Sequence, residues 1–455
     1  MDGLEFEYHP KYGLAIFATR DFQKGEILLS EKPLIVSQTL TSKRDKAFIY
    51  TYDIDLDVFS TFKAFFDSST EIQNIILNNF YLPSTPELMD IAWSQVFSTR
   101  LDRIIDVCQK HVRAWSNVDR DTFKKVLLVF TFNSHAFGSD NSPAIFAIGS
   151  KMNHSCEANT FYQSIDNQVG IHTVAKEIRK GDQITTNYLG KDTIFSTNTR
   201  QKILQKTKLF QCDCLRCTEK LDISRGLPCP NCSIDGYIYW HPTSMISDKN
   251  DSDGIKSQSY WLCDTCNTRI DDESPYLNEL LVKEKEIEQE TIALNERLNG
   301  INFVNKSQLL DLHDACLGQL GTRHWTYILI LKMLILLDAT QLSNEKYHNK
   351  SSLIKNFDNV LNWYEKGEFD TPRYLGSFTL RVANVLFCVK DYYNSLRFLE
   401  RVFKNFSYDK TFPHEHKEAI NLMERCHMAL DESVSGQIGQ ENKSHMKPNC
   451  QFLKN

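Results

Sequence analysis

At 455 residues the chain exceeds one ordinary hydrophobic core, so two or three domains are expected. A composition 41% hydrophobic and 24% charged is that of a globular protein, and a net charge of −6 argues against broad nonspecific nucleic-acid binding. The start, "MDGLEFEYHP", has neither a basic nor an apolar leader region, which argues against export; the longest apolar run, "YILILKMLILLDA", carries a lysine, is too short to span a bilayer and reads as a buried helix.

In chain order, residues 1–38 read as strands. "GLAIFATRDF" and "GEILLSEKPLIVSQ" are rich in β-branched and aromatic residues, with "DFQKGE" as the turn between them. Residues 39–122 change period: "IQNIILNNF", "PELMDIAWSQVF" and "RIIDVCQKHVRAW" space their apolar residues as helices do. Residues 123–190 return to mixed structure and end in two strands around the turn "RKGDQ". Residues 191–220 hold a short helix and then a triple-cysteine motif. Residues 221–270 are short, polar and strand-like, with two CxxC pairs. From 271 to 432 the pattern is helical, with "PYLNELLVKEKEIEQETIALNERL" as one long amphipathic helix and later segments patterned as stacked helix pairs. The polar tail 433–455 is expected to be disordered.

The thirteen cysteines are unevenly spread. Cys108, Cys316, Cys388, Cys426 and Cys450 stand alone, and in a reducing compartment a lone cysteine is usually a small buried hydrophobe. Cys229-Pro-Asn-Cys232 and Cys263-Asp-Thr-Cys266 are two tight thiolate pairs, the knuckles of a zinc ribbon. Such a site works by folding a segment that has little core of its own. Cys212, Cys214 and Cys217 supply three thiolates and lack a fourth ligand. Cys156 is a natural donor from a distant part of the chain; a histidine, a nearer cysteine or a water could equally fill the position.

Taken in order, "NHSC" at residues 153–156, then "GDQITTNY", then "CDCLRC" after a short helix, resemble a SET domain with its post-SET zinc motif. "YGLAIFATRDFQKGEILLSEKPLI", "FNSHAF" and "AIFAIGSKMNHSCEAN" extend the resemblance toward the SMYD branch, as does a helical C-terminal part. The implied fold is α+β: a SET-type β fold with a helical insert, a post-SET zinc motif, a zinc ribbon and a TPR-like helical domain. One module departs from the pattern. The MYND zinc finger of SMYD proteins would fall within residues 39–122, which contain only Cys108 and cannot build it.

The resemblance implies a protein-lysine methyltransferase using S-adenosylmethionine, with two structural zinc ions. It assigns Asn153 and His154 to the cofactor, and Lys11, Tyr12 and Gly13 to the loop whose backbone meets the methionine part. Lys11 stands where the family often has a second glycine. Asn133 is assigned to the cofactor, Phe210 to adenine stacking, and Tyr188 to catalysis as well as to the cofactor. Cys156 becomes the fourth post-SET ligand beside Cys212, Cys214 and Cys217. A free lysine has a pKa of about 10.4, so roughly one in a few thousand is neutral at pH 7. Burial and a neighbouring positive charge lower that pKa, and a tyrosine hydroxyl orients the amine.

Each of these residues has a plainer reading. Tyr188 alone would be a strand tyrosine, His154 a core histidine, Phe210 core, Asn133 a cap and Gly13 a turn; His135, His172 and Tyr162 carry no argument beyond proximity and are read as structure. The competing function is a catalytically inactive SET-fold adaptor that binds protein partners, and a zinc-containing nucleic-acid binder comes third. Expected partners are a protein with a target lysine and a protein on the C-terminal helical domain, with no membrane. Cytoplasm and nucleus both fit.

Overall fold

The computed structural model describes residues 3–10, 13–83, 85–96, 100–165, 167–218, 221–232, 236–241, 259–299, 304–342, 350–366, 372–405 and 413–435. The chain divides into two compact units, Met1–Leu189 with Gln201–Cys214, and Gly190–Arg200 with Leu215–Asn455.

The first unit begins with an antiparallel hairpin of β1 (Leu4–His9) and β2 (Gly13–Ala18), in register from Leu4 opposite Ala18 to His9 opposite Gly13. β2 buries Ala15, Ile16 and Ala18, while β1 faces outward. The turn into β3 (Ile27–Glu31) carries Gly25 at φ +84°, a left-handed value that glycine adopts without a Cβ penalty. After β4 (Ile35–Val36) come five helices: α1 (Lys43–Tyr52), α2 (Leu56–Phe66), α3 (Thr70–Asn78), α4 (Pro86–Val96) and α5 (Arg100–His111). Ser42, Asp55 and Ser69 begin the first three, each side chain accepting a first-turn backbone N–H. Their inner faces share an aromatic core in which the Phe62 and Phe123 rings meet edge to face, 4.8 Å apart. Cys108 is wholly buried on α5.

α6 (Arg120–Asn133) runs through a stretch that the sequence reads as mixed structure. Its charged residues are confined to the first turns, and Val126 to Phe130 and Phe132 are buried, so its second half has no polar face to give it a helical period. Beyond it, β5 (His135–Phe137) and β4 flank β6 (Ser142–Ile145) in one antiparallel sheet. A second sheet holds β3 and β8 (Thr160–Ile165) on either side of β9 (Val169–Val174). Between these lies β7 (Asn153–His154). It pairs in parallel with β10 (Thr185–Thr186), Asn153 opposite Thr185 and His154 opposite Thr186. β9 and β10 are thus the two strands around "RKGDQ", where Gly181 has φ +92°, but they do not pair with each other. α7 (Thr197–Lys208) carries the chain between the units.

In the second unit, α8 (Leu215–Thr218) precedes a four-stranded antiparallel sheet of β11 (Leu227–Pro228), β12 (Tyr237–His241), β13 (Tyr260–Cys263) and β14 (Arg269–Asp271). Residues 242–258, between its two CxxC pairs, lie outside the described residues, as do 436–455 of the tail. Helices follow: α9 (Pro275–Asn299), α10 (Lys306–Gln319), α11 (Trp325–Leu342), α12 (Ser351–Lys366), α13 (Pro372–Cys388), α14 (Tyr392–Asn405) and α15 (Pro413–Ser435). α11 contains the longest apolar run. It is long and apolar enough to cross a membrane, yet it packs at the centre of this unit against α9, α10 and α12. Its Lys332 is accommodated by donating to the Tyr364 hydroxyl at 2.6 Å. Lys390 at φ +60° and Asp391, whose carboxylate accepts the Asn394 N–H at 3.2 Å, break the last apolar stretch into α13 and α14. The fold class is α+β, a β-rich unit with a helical insert and a large helical C-terminal region.

Candidate active site and metal centres

The short parallel pair β7–β10 is fixed by two neighbouring side chains. Asn159 accepts the Thr185 N–H at 2.8 Å and donates to the Gln183 carbonyl at 2.8 Å. The Thr160 hydroxyl adds a 2.8 Å bond to the Thr185 carbonyl. Two-residue strands have little pairing energy of their own, so these side-chain bonds hold β10 in register. Asn159 lies in the quoted "SKMNHSCEAN" stretch, but nothing in its spacing announces that role.

The pair brings several groups together. Asn153 donates to the Leu14 carbonyl of β2 at 3.2 Å. His154 accepts the Tyr188 backbone N–H on Nδ1 at 3.0 Å, and its Nε2 lies 3.4 Å from the Cys156 Sγ. The His154, Tyr188 and Phe210 rings form one aromatic group, with centroids 5.2, 5.9 and 6.4 Å apart. Tyr188 as a whole is 36% exposed, but its hydroxyl end is inside and donates to the Met152 carbonyl at 2.6 Å. Burial of that end raises its pKa above the ordinary phenol value, so the hydroxyl stays protonated at neutral pH.

Gly13 opens β2 at φ +66°, and a Cβ built there would meet nothing within 4 Å. The backbone is therefore bare and approachable beside the Asn153 contact. Lys11 and Tyr12 lie outside the described residues. Asn133 is buried and its amide is engaged: Oδ1 accepts the Tyr81 N–H at 3.1 Å, and Nδ2 donates to the carbonyls of Tyr81 at 2.9 Å and Val129 at 2.8 Å. Its side chain braces α6 against the segment before α4. Lys208, which the sequence reading passes over, lies at the end of α7 with its Nζ 5.4 Å from the Tyr188 ring centroid.

Two groups of four thiols are compact enough to hold a metal. The Sγ atoms of Cys156, Cys212, Cys214 and Cys217 lie within 4.8 Å of one another, as do those of Cys229, Cys232, Cys263 and Cys266. Four thiols at such spacing suit zinc. In the second group the Thr265 and Cys266 N–H groups point at the Cys263 Sγ, at 3.4 and 3.5 Å. A Cβ at Gly236 would come within 2.4 Å of the Cys232 Sγ, so this knuckle closes only around glycine. In the first, the Gln201 side chain accepts the Cys212 N–H at 2.8 Å, and an Arg200 guanidinium nitrogen lies 3.6 Å from the Cys217 Sγ. A third cluster, Glu284, Glu288 and His324, has the donor types of a metal site but is already filled by a cation. Arg225 binds both Glu284 oxygens, at 2.6 and 2.7 Å.

A family profile described as the SET domain matches residues 13–189. The chain is 25% identical over 210 residues to a putative SET domain-containing protein of Acanthamoeba polyphaga mimivirus, covering 46% of this chain and 74% of that protein. It is 27% identical over 171 residues to the SET domain-containing protein SmydA-8 of Drosophila melanogaster, 36% of this chain and 32% of that one. It is 31% identical over 125 residues to the histone-lysine N-methyltransferase ASHR1 of Arabidopsis thaliana, 25% of each. The chain thus spans about three quarters of the viral relative but a third or less of the other two. Among solved structures, the SET domain of LSMT bound to lysine and AdoHcy covers 96% of this chain and 92% of its own, at 11% identity and a TM-score of 0.34, too distant to carry an argument.

Proposed function

We propose that this chain, a SMYD-like SET-domain protein, transfers a methyl group from S-adenosylmethionine to the side-chain amine of a lysine in a protein. The observation that carries the reading is the convergence of Asn153, His154 and Tyr188 on the β7–β10 pair, inside the span that matches the SET profile, with the Phe210 ring from beyond that span packed against His154 and Tyr188. The open backbone at Gly13 and the aromatic face of Phe210 fit a nucleoside bearing an amino-acid tail. Asn153, His154 and the Gly13 backbone would hold the cofactor, with Phe210 against adenine. When bound, it would supply a methyl group on a positively charged sulfur, open to in-line displacement by an amine lone pair in which the N–C bond forms as the C–S bond breaks and a neutral thioether leaves.

The chain's own contribution is positioning. The Tyr188 hydroxyl, fixed by the Met152 carbonyl, presents an oxygen lone pair at the inner end of the site. Its raised pKa rules it out as a general base at neutral pH, so it orients the amine, and the proton leaves to solvent beforehand. The two thiol groups would each hold one structural zinc, in a reducing compartment such as cytoplasm or nucleus. The substrate reading draws on relatives that include a histone-lysine N-methyltransferase.

The test is calorimetric titration of zinc-replete protein with S-adenosylmethionine, beside Asn153→Ala and Tyr188→Phe. Binding by wild type, its loss in Asn153→Ala and its retention in Tyr188→Phe together with loss of methyl transfer are expected. No binding by the wild-type protein sinks the reading.

A further inference from the structure

Lys208 is the last residue of α7, and its ammonium is held without a carboxylate counterion among the described residues. Its Nζ donates to the Thr131 carbonyl at 2.8 Å and the Phe132 carbonyl at 3.2 Å, the free carbonyls at the C-terminal end of α6. Those carbonyls form the negative end of a helix and anchor a cation well. Among the described residues no carboxylate pairs with it, so neutral backbone carbonyls hold the charge without cancelling it. The ammonium lies over the Tyr188 ring. The titratable groups around it are Tyr188, which stays neutral; His154, beside the same ring; and His135 on β5, whose pKa is brought down to about 4 by burial first, with Lys208 adding to it. All are neutral or positive. Burial lowers Lys208 itself to about 8, so it is charged at neutral pH and loses its charge in mild alkali.

We propose that Lys208 is a positioning residue of the site, whose fixed cation beside Tyr188 repels positive charge there and so selects an entering amine in its neutral form. The inference rests on the methyltransferase reading. An alkylammonium entering beside a like charge loses its proton more easily. The neutral fraction grows in full proportion to the pKa drop, whereas nucleophilicity falls only fractionally with it, so the net effect at pH 7 favours transfer. The carbonyls of α6 keep Lys208 itself out of the acceptor's place.

The same repulsion acts on any charge in the pocket, so it can be read from binding alone. S-adenosylmethionine and S-adenosylhomocysteine differ by one positive charge, and their shared amino and carboxyl groups cancel in an affinity ratio. Calorimetry with both ligands from pH 6.5 to 9.5, on wild type, Lys208→Met and Lys208→Arg, reads that ratio. In wild type the ratio should shift toward S-adenosylmethionine as pH rises through about 8, by roughly tenfold. Lys208→Met should hold the high ratio at every pH and Lys208→Arg the low one. The wild-type profile stands even if Lys208→Met folds poorly. A pH-independent wild-type ratio, or a Lys208→Met ratio equal to wild type at pH 7, overturns the proposal while leaving the cofactor site intact. Failure of wild type to bind either ligand overturns the methyltransferase reading first and this inference with it.

Discussion

Arg225→Met should destabilise the second unit by about 3–5 kcal/mol, because it strips the partner from a buried charge. Glu284 is 3% exposed and binds the guanidinium through both oxygens, at 2.6 and 2.7 Å. His324, fully buried, lies 3.1 Å from the same carboxylate. Burial by itself pushes the Glu284 pKa up, but the bonds from Arg225 and His324 outweigh it and hold the carboxyl at about 2 rather than 4.5. A depression of that size corresponds to about 3 kcal/mol, in line with the broken-pair figure. Since the folded pKa is depressed, this stability is fully present above about pH 4.5 and is lost as pH falls toward 2.

Without Arg225 the sign reverses. Glu284 is then buried with less compensation, its folded pKa rises above 4.5, and acid becomes stabilising through that raised value. The assay is urea unfolding followed by tryptophan fluorescence at pH 7 and pH 5, since Trp240, Trp261, Trp325 and Trp363 all lie in this unit. Pairing Arg225→Met with Glu284→Met should recover much of the loss, because the uncompensated charge goes with it. A loss under about 1 kcal/mol at pH 7, or identical acid dependence in wild type and Arg225→Met, would refute the argument.

Three further substitutions separate roles. Cys212→Ser should lower zinc content from two ions to one by elemental analysis and abolish cofactor binding, whereas Cys229→Ser should remove the other ion and leave cofactor binding, since Asn153, His154, Tyr188 and Phe210 all lie in the first unit. Asn133→Ala should cost about 1–3 kcal/mol in thermal unfolding, because the backbone groups of Tyr81 lose their buried partner. The same variant should bind S-adenosylmethionine within about threefold of wild type, as its amide is engaged elsewhere; a tenfold loss of affinity without loss of stability would return Asn133 to the cofactor.

The thiol pairs were legible because zinc dictates their spacing, and the long amphipathic helices because their period is written in the residues. α6 was not: its second half, "VLLVFTF", is almost wholly buried and has the composition of a strand and no polar stripe to mark its turns. The β7–β10 pairing was illegible for another reason. Two residues on each side carry no period at all, and the order comes from Asn159 reaching across to Gln183 and Thr185. Lys208 escaped notice because a lysine at a helix end reads as a solvated cap, and only the packed structure puts its ammonium over Tyr188. The "NHSC" stretch was legible as a motif, but its internal wiring was not.

That wiring runs through His154. A backbone N–H can only donate, so the Tyr188 N–H at 3.0 Å fixes His154 Nδ1 as the acceptor. A neutral imidazole then carries its proton on Nε2, the nitrogen 3.4 Å from the Cys156 Sγ. A bound zinc would hold that sulfur as a thiolate, which would accept a charge-assisted hydrogen bond from the Nε2–H. One ring thereby ties the backbone of Tyr188 to a thiol of the candidate metal group, which gives the closeness of His154 and Cys156 a physical reason. His154→Ala should cut both ties: zinc at this site should dissociate about 10–100-fold more readily to a chromophoric chelator, and hydrogen exchange at the Tyr188 amide should accelerate. If zinc retention is unchanged while cofactor affinity falls, His154 serves the pocket alone and the link between metal and tyrosine is broken.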